Sequence, residues 1–147
     1  MTEGKFLVAV GLDDSESSWK AVKEAVRQAR AHSGELHIVS IQESAEATYS
    51  ASEALAEEKT SHAKLERAQL KARMYAESEK VTVTNAITKG SPVTGLVDYV
   101  KSHGIHLLVV GDTGHSSIWG ALLGTSAEKI VRHAPCSVMI VRQNPFD

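Results

Sequence analysis

The sequence lacks several features that define whole classes of protein. It contains one cysteine, Cys136, so no internal disulfide can form and a disulfide-stabilised secreted scaffold is excluded. No apolar run approaches the roughly 18 residues of a membrane-spanning helix, and the first residues lack the charged start and apolar stretch of a secretory signal. The net charge of −2 supplies no basic field for nucleic acid or an anionic membrane surface. We therefore expect a cytoplasmic protein that binds neither nucleic acid nor membrane.

The composition that remains is that of an ordinary globular domain. Apolar residues make up 42% of the chain and charged residues 23%, and the length of 147 residues suits one domain. No stretch has the composition of a linker between domains. We therefore expect residues 1–147 to form a single domain.

The pattern of apolar residues predicts five strands alternating with four helices. Residues 6–12 form a near-continuous apolar run, which is typical of a parallel strand buried on both faces. Further strands are predicted at residues 35–42, 81–88, 105–110 and 137–141. The long segment 45–80 is predicted to be helical, with 44–52 as a loop or frayed end. This alternation predicts an α/β fold, a single doubly wound domain with a five-stranded parallel sheet of order 3-2-1-4-5 and helices on both faces.

The predicted topology indicates where a ligand would bind. In an open α/β sheet, ligands bind beyond the carboxyl ends of the strands at the point where the winding direction reverses. Here that point lies between strands one and four. Asp13-Asp14-Ser15 follows strand one, and a loop rich in glycine, serine and threonine, residues 111–126, follows strand four. We therefore expect the ligand site between these two loops.

The loop after strand four has chemistry suited to phosphate. Glycines allow close backbone approach, and exposed main-chain N–H groups can hold phosphate oxygens. Gly124, Thr125 and Ser126 come at the start of the last predicted helix, where unpaired N–H groups and the helix dipole favour an anion. A plain turn followed by a helix cap uses the same residue types, so the loop alone leaves both interpretations open.

The spacing of the glycines adds a specific resemblance. Gly111, Gly114 and Gly124-Thr125 match the pattern G-x2-G-x9-G-[ST] after strand four, with Asp13 after strand one. In this the sequence resembles the universal stress protein family, specifically its ATP-binding branch. The resemblance spans nearly the whole chain and includes residues 7–18, 90–92 and 124–136.

The resemblance implies a role for each matching residue. Asp13 would meet the nucleoside, and Ile41, at the end of strand two, would offer its backbone to the adenine. The residues implied to contact the ribose and phosphates are Val110, Gly111 and Gly114 for the ribose and first phosphate, and Gly124, Thr125 and Ser126 for the outer phosphates.

Two further residues of the loop bear on the phosphates. His115 is a candidate for a phosphate contact because it lies inside the loop. Thr113 stands where family members usually carry a basic or imidazole side chain, and this departure removes one expected phosphate contact. The implied ligand is ATP, with AMP or cyclic AMP as alternatives and Mg²⁺ accompanying the phosphates. Family members commonly dimerise through the last strand, so a homodimer through residues 137–141 is expected.

Other chemistries fit the sequence less well. A phospho-receiver domain needs an Asp at the end of strand three, where this chain has Thr88-Lys89-Gly90. Neither G-x-x-x-x-G-K-[ST] nor G-x-G-x-x-G after strand one occurs. The seven histidines show no metal-ligand spacing, so no metal site is expected. The hydroxyls of the loop have no assigned general base, because Asp112, the nearest acid, has an orientation that the sequence does not reveal.

The resulting hypothesis is a stress-response protein that binds an adenine nucleotide and acts as a sensor or adaptor toward an unidentified partner protein, with no catalytic residue assigned. Two alternatives stay open at this stage. One is a weak ATP hydrolase or self-phosphorylating enzyme that uses the same crevice, and the other is a structural dimer that holds no nucleotide.

Overall fold

The computed structural model describes residues 4–44, 50–112 and 126–142. Its sheet has five parallel strands: β1 (Leu7–Gly11), β2 (Glu35–Gln42), β3 (Thr82–Lys89), β4 (Leu107–Gly111) and β5 (Ser137–Val141). The helices are α1 (Glu16–Ala31), α2 (Ala51–Ser78), α3 (Pro92–His103) and α4 (Ser126–His133). The strand order is β3-β2-β1-β4-β5, which confirms the predicted topology.

Helices cover both faces of the sheet, and each face has its own core. Along β1, Val8 and Val10 face the core formed with α1 and α2, while Ala9 faces the core formed with α3 and α4. All three side chains are fully buried. Successive side chains of a strand point to opposite faces, so a strand buried on both sides reads as a continuous apolar run.

Local capping determines where the helices begin and end. Ser15 caps α1, and its hydroxyl accepts a hydrogen bond from the Ser18 N–H at 3.1 Å. At the start of α2, Ser50 and Glu53 form a capping box, in which each side chain accepts from the other residue's backbone N–H. This reciprocal cap explains why α2 starts at Ala51, inside the segment predicted to be loop or frayed helix. Within the described part of the chain, no helix combines the length and apolar character needed to cross a membrane.

A buried glutamine fastens the long helix α2 to the sheet. The Gln69 side chain is only 4% exposed. Its amide nitrogen donates to the Ile38 carbonyl at 3.1 Å, the Ser40 hydroxyl at 2.8 Å and the Ala86 carbonyl at 3.1 Å. Ser40 in turn donates to the Leu12 carbonyl at 2.7 Å, at the end of β1. The position of α2 is thereby coupled to the sheet edge where β1 ends.

Aromatic and imidazole rings gather near the opposite edge of the sheet. His37 Nδ1 and the Tyr99 hydroxyl share a hydrogen bond of 2.6 Å, and the Tyr99 ring stacks on His103 with centroids 3.8 Å apart. Burial lowers the pKa of His37, the nearby His103 lowers it further, and Glu35 opposes the shift. Burial and His103 together thus favour the neutral form of His37.

Candidate functional site

A crevice of about 680 Å³ opens where β1 and β4 end. This volume is within the range of small-molecule sites in proteins. The connection after β1 runs to one face of the sheet, and β4 is reached from the other face through α3, so the loops at this point diverge. The crevice is lined by the end of β1 and its loop, the ends of β2 and β4, the first turn of α1, and parts of α2, α3 and α4.

Asp13 lies at this crevice and is oriented by the start of α1. Its Oδ1 accepts hydrogen bonds from the Ser15 N–H at 3.0 Å and from the Ser15 hydroxyl at 2.6 Å. Its own N–H donates to the Ser18 hydroxyl at 3.3 Å. The carboxylate is therefore held in a fixed position, half-buried at the crevice wall.

The backbone of Ile41 faces the same crevice. β1 pairs with β2 only as far as Gly11 opposite Val39, and the Gln42 carbonyl accepts from the Gly90 N–H on the β3 side. Backbone groups of successive strand residues point to alternate sides, so the N–H and C=O of Ile41 point toward the β1 side. Within the described residues, no strand pairs with this edge of β2 beyond Val39.

The side chain of Ile41 stands perpendicular to this edge, on the α3 face of the sheet, and packs against α3. A Cβ placed on Gly95 would lie 2.8 Å from Ile41 Cδ1, which is closer than van der Waals contact allows. Gly95 is therefore needed for α3 to approach β2 at this point. The contact supports the end of β2 from the face opposite α1 and α2.

The end of β4 forms the floor of the crevice. Val110 is buried in the core under α3 and α4 and also lines the crevice. A Cβ on Gly111 would collide with the Ser17 hydroxyl and lie 2.7 Å from the Ser17 carbonyl oxygen. The absence of a side chain at Gly111 is thus required by the close approach of α1, independently of any ligand.

The structure shows the orientation of Asp112, which the sequence does not reveal. It is 6% exposed, and its Oδ1 accepts a hydrogen bond from the Ser17 hydroxyl at 3.3 Å. Its N–H donates to the Val141 carbonyl at 3.1 Å. The carboxylate is directed toward α1.

Of the three residues predicted at the later glycine and the helix start, only Ser126 lies within the described chain. Ser126 is the first residue of α4, is exposed and lines the crevice. The other predicted phosphate contacts lie outside the described residues: Gly114, His115, Gly124 and Thr125. The structure therefore brings together Asp13, Ile41, Val110, Gly111 and Ser126 around one crevice.

One wall of the crevice was not predicted. Ser61, Lys64 and Leu65 of α2 line it, and their spacing of three and four residues places them on one side of the helix. The side chain of Gln42 holds this part of α2. Its amide nitrogen donates to the Glu58 carbonyl at 2.8 Å, and its Oε1 lies 3.0 Å from His62 Nδ1. The spacing of these α2 residues is visible in the sequence, but the weak apolar character of α2 gave no reason to place them at a ligand.

The charged groups at the crevice are mostly acidic. Its described lining carries one ammonium group, from Lys64, and four carboxylates, from Asp13, Asp14, Glu43 and Asp112. Among the described residues, no three His, Cys, Asp or Glu side chains are grouped so that they could hold a metal ion.

Comparisons with known proteins agree with this architecture. The sequence profile of the universal stress protein family matches residues 6–142. Universal stress protein YxiE of Bacillus subtilis strain 168 is 29% identical to this chain over 147 residues, which covers 94% of this chain and 98% of that protein.

Solved structures resemble the chain over almost its full length. Universal stress protein UspA from Lactobacillus plantarum superimposes with a TM-score of 0.84 at 25% identity, covering 93% of this chain and 97% of that one. A universal stress protein in complex with cAMP has a TM-score of 0.76 at 28% identity, covering 97% of this chain and 100% of that one.

Proposed function

The chain belongs to the universal stress protein family, and from that membership we propose that it binds an adenine nucleotide, ATP or a close relative, in the crevice between β1 and β4. In this proposal the protein acts as a sensor or adaptor in the stress response of the cell. Binding changes the balance between two states of the loop between Gly111 and Gly124, and a partner protein recognises one of them. Such a shift requires that the nucleotide binds the two states with different affinity.

One observation carries the proposal: three chemically different groups meet at the same crevice. A carboxylate from Asp13, a strand edge at Ile41 that no described strand pairs with, and the first turn of α4 at Ser126 all line it. A carboxylate accepts hydrogen bonds from ribose hydroxyls, a strand edge can pair with the donor and acceptor edge of adenine, and a helix N-terminus favours phosphate.

The remaining contacts of the proposal follow the glycine motif. Val110 and Gly111 line the crevice. We assign the phosphates to main-chain amides of Gly114, Gly124 and Thr125, with the side chain of His115 as an additional donor. In this assignment Mg²⁺ is a companion of the phosphates.

The comparison with solved structures supports an adenine ligand. The relative at 28% identity was solved as a complex with cAMP. It has the same fold over 97% of this chain, so a ligand of that size and chemistry is consistent with the volume of the crevice here.

The observed contact of Asp112 gives no support for its use as a general base. A general base has to face the hydroxyl or water that it activates. The Asp112 carboxylate instead accepts a hydrogen bond from Ser17 of α1. We therefore propose no catalytic residue.

A homodimer through β5 completes the proposal. β5 is the last strand in the sheet order and pairs with β4 on one side. Its residues Val138 to Val141 are half-buried. Among the described residues, no strand pairs with the other edge of β5, and a strand edge of this kind readily pairs with a second chain. Light scattering coupled to size-exclusion chromatography measures the mass, and a monomer at micromolar concentration would contradict this part.

Calorimetric titration with ATP, AMP, cyclic AMP and adenosine tests the binding function. We expect saturable binding of at least one adenine nucleotide at one site per chain. Mass analysis of small molecules released from freshly purified, denatured protein provides a second and independent test. Absence of binding to all four ligands, together with no retained nucleotide, would leave only the structural dimer. Release of phosphate or a gain of phosphate mass on the protein after incubation with ATP and Mg²⁺ would favour the enzyme instead.

A further inference from the structure

We propose that Ser40 is a positioning residue for recognition of the base. Its hydroxyl binds the Leu12 carbonyl in place of the Ile41 N–H, and so leaves that N–H free for a ring nitrogen of the ligand. This inference rests on the proposed function, because it concerns how the same crevice recognises adenine. Ser40 is fully buried and is not part of the crevice lining. It therefore acts through Ile41 rather than by touching the ligand.

The register of β1 and β2 shows which backbone bond is missing. Gly11 lies opposite Val39, and the Leu12 N–H donates to the Val39 carbonyl at 2.9 Å. In a parallel ladder, the next bond returns from the N–H two residues further along β2 to the carbonyl of the same β1 residue. Here that bond would join the Ile41 N–H to the Leu12 carbonyl, and the described backbone does not contain it.

The Ser40 hydroxyl takes the place of this missing donor. It donates to the Leu12 carbonyl at 2.7 Å and accepts a hydrogen bond from the Gln69 amide at 2.8 Å. A hydroxyl has a single proton, and the bond accepted from Gln69 leaves that proton for Leu12. The carbonyl that would hold Ile41 in the ladder is thus bound by a side chain whose own position is fixed from α2.

Beyond Leu12 the chain turns away from β2. The Asp13 N–H donates to the Ser18 hydroxyl at 3.3 Å, and Asp14 has a positive φ of 69°, which is outside the extended conformation of a strand. Leu12 is only 2% exposed, and a buried carbonyl without a partner is costly. The hydroxyl next to Ile41 therefore stabilises the early separation of the two strands.

The consequence concerns the base. The exocyclic amino group of adenine donates hydrogen bonds, and the ring nitrogens beside it, N1 and N7, accept them. An Ile41 N–H that is bonded to the Leu12 carbonyl cannot serve such a nitrogen. Removal of the Ser40 hydroxyl leaves this carbonyl without its donor, and the Ile41 N–H is the ladder donor that can replace it. We therefore expect Ser40→Ala to close the strand edge against the base.

Amide hydrogen exchange in the ligand-free protein, resolved by residue with NMR, tests the edge directly. In the wild type, the Ile41 amide should exchange faster than the Val39 amide, which the register pairs with β1. In Ser40→Ala, exchange at Ile41 should slow roughly fivefold or more, the scale of one hydrogen bond. Val83→Ala is the control, because it removes buried methyl groups from the core of α1 and α2 outside the crevice. A loss of stability alone leaves exchange at Ile41 unchanged or faster.

Calorimetric titration with adenosine and with its deaza analogues lacking N1 or N7 tests the effect on binding. In the wild type, one of the two analogues should bind about 3- to 10-fold more weakly than adenosine, because it cannot accept from the Ile41 N–H. Ser40→Ala should weaken adenosine binding by a similar factor and leave that analogue unchanged. Val83→Ala should keep the wild-type ratio of the two affinities. Thermal unfolding of each variant checks that the fold is retained.

Three results would overturn the inference while leaving the proposed function intact. The first is exchange at Ile41 that is no slower in Ser40→Ala than in the wild type. The second is an equal loss of affinity for adenosine and for the weaker analogue in this variant. The third is wild-type protein that binds both analogues as tightly as adenosine, since no ring nitrogen would then meet the Ile41 N–H. A wild-type protein that binds none of the ligands contradicts the proposed function itself, and the inference fails with it.

Discussion

Ser17, in the first turn of α1, donates a hydrogen bond to Asp112, at the end of β4, over 3.3 Å. The two residues are 95 positions apart in the chain, and both line the crevice. Ser17 also occupies the space beside Gly111, so this one residue of α1 contacts both Gly111 and Asp112 at the end of β4. Packing against α1 therefore requires glycine at position 111, independently of any ligand.

Gly111→Ala is expected to destabilise the protein by about 2–3 kcal/mol, because the new Cβ collides with the backbone and hydroxyl of Ser17. Urea unfolding followed by circular dichroism measures the change. Gly104→Ala is the control: its Cβ would meet open space, but the positive φ of 63° makes it strained, and we expect a cost of about 1 kcal/mol. An Ala at position 111 that is better tolerated than one at position 104 would contradict the packing argument.

Asp13→Ala and Asp13→Asn separate two roles of one carboxylate. Alanine removes the acceptor of the Ser15 hydrogen bonds, so we expect a loss of about 1 kcal/mol in stability and of about 1–3 kcal/mol in nucleotide binding. Asparagine keeps an oxygen that can accept from Ser15, and its effect should be confined to binding. Titration calorimetry and urea unfolding on both variants provide the two measurements. Wild-type affinity in Asp13→Ala would mean that the carboxylate serves only the start of α1.

Gln69→Leu should cost about 2–3 kcal/mol of stability, since it removes the buried amide that donates to the Ser40 hydroxyl and the side-chain oxygen that accepts from the Asn85 amide. Gln28→Leu on α1 is the matched control, because Gln28 is half-exposed and its amide bonds only to Glu24 one turn earlier. We expect the control to lie within about 0.5 kcal/mol of the wild type. Equal losses of unfolding free energy in the two variants would refute the role of Gln69 in holding α2 against the sheet.

The lowered pKa of His37 makes the stability of the fold depend on pH. Its pKa in the folded protein lies below the ordinary value of 6.5, chiefly through burial. As the pH falls, the unfolded chain therefore takes up a proton at this position before the folded one does. The contribution of His37 to stability is fully present above pH 6.5 and is lost as the pH falls below that value. Urea unfolding from pH 8 to pH 5 measures the slope, which should be shallower in His37→Gln. An identical slope in the variant would assign the pH dependence to other groups.

The strand order was predictable because buried parallel strands have a simple sequence pattern. β2 and β5 begin and end at the predicted residues, and β1 is shorter than its apolar run because pairing stops at Gly11. The start of α2 was less predictable. It depends on the capping box of Ser50 and Glu53 rather than on apolar periodicity.

The site was predictable only where its residues follow strands in a recognisable motif. Asp13 and Gly111 come directly after β1 and within β4, so their place at the crevice follows from the topology. Lys64 does not follow from any local pattern. It reaches the crevice because Gln42 and Gln69 fasten α2 across the sheet, and those contacts join residues 16 to 31 positions apart.

The contact between Ile41 and Gly95 has a thermodynamic consequence. Because α3 packs against the Ile41 side chain, the N–H and C=O at the edge of β2 have few alternative positions to give up when they are hydrogen-bonded. A ligand docking on a backbone that is already ordered loses less conformational entropy. In the proposed complex, the order of the strand edge that meets the adenine thus depends on how closely α3 packs against β2 at Gly95.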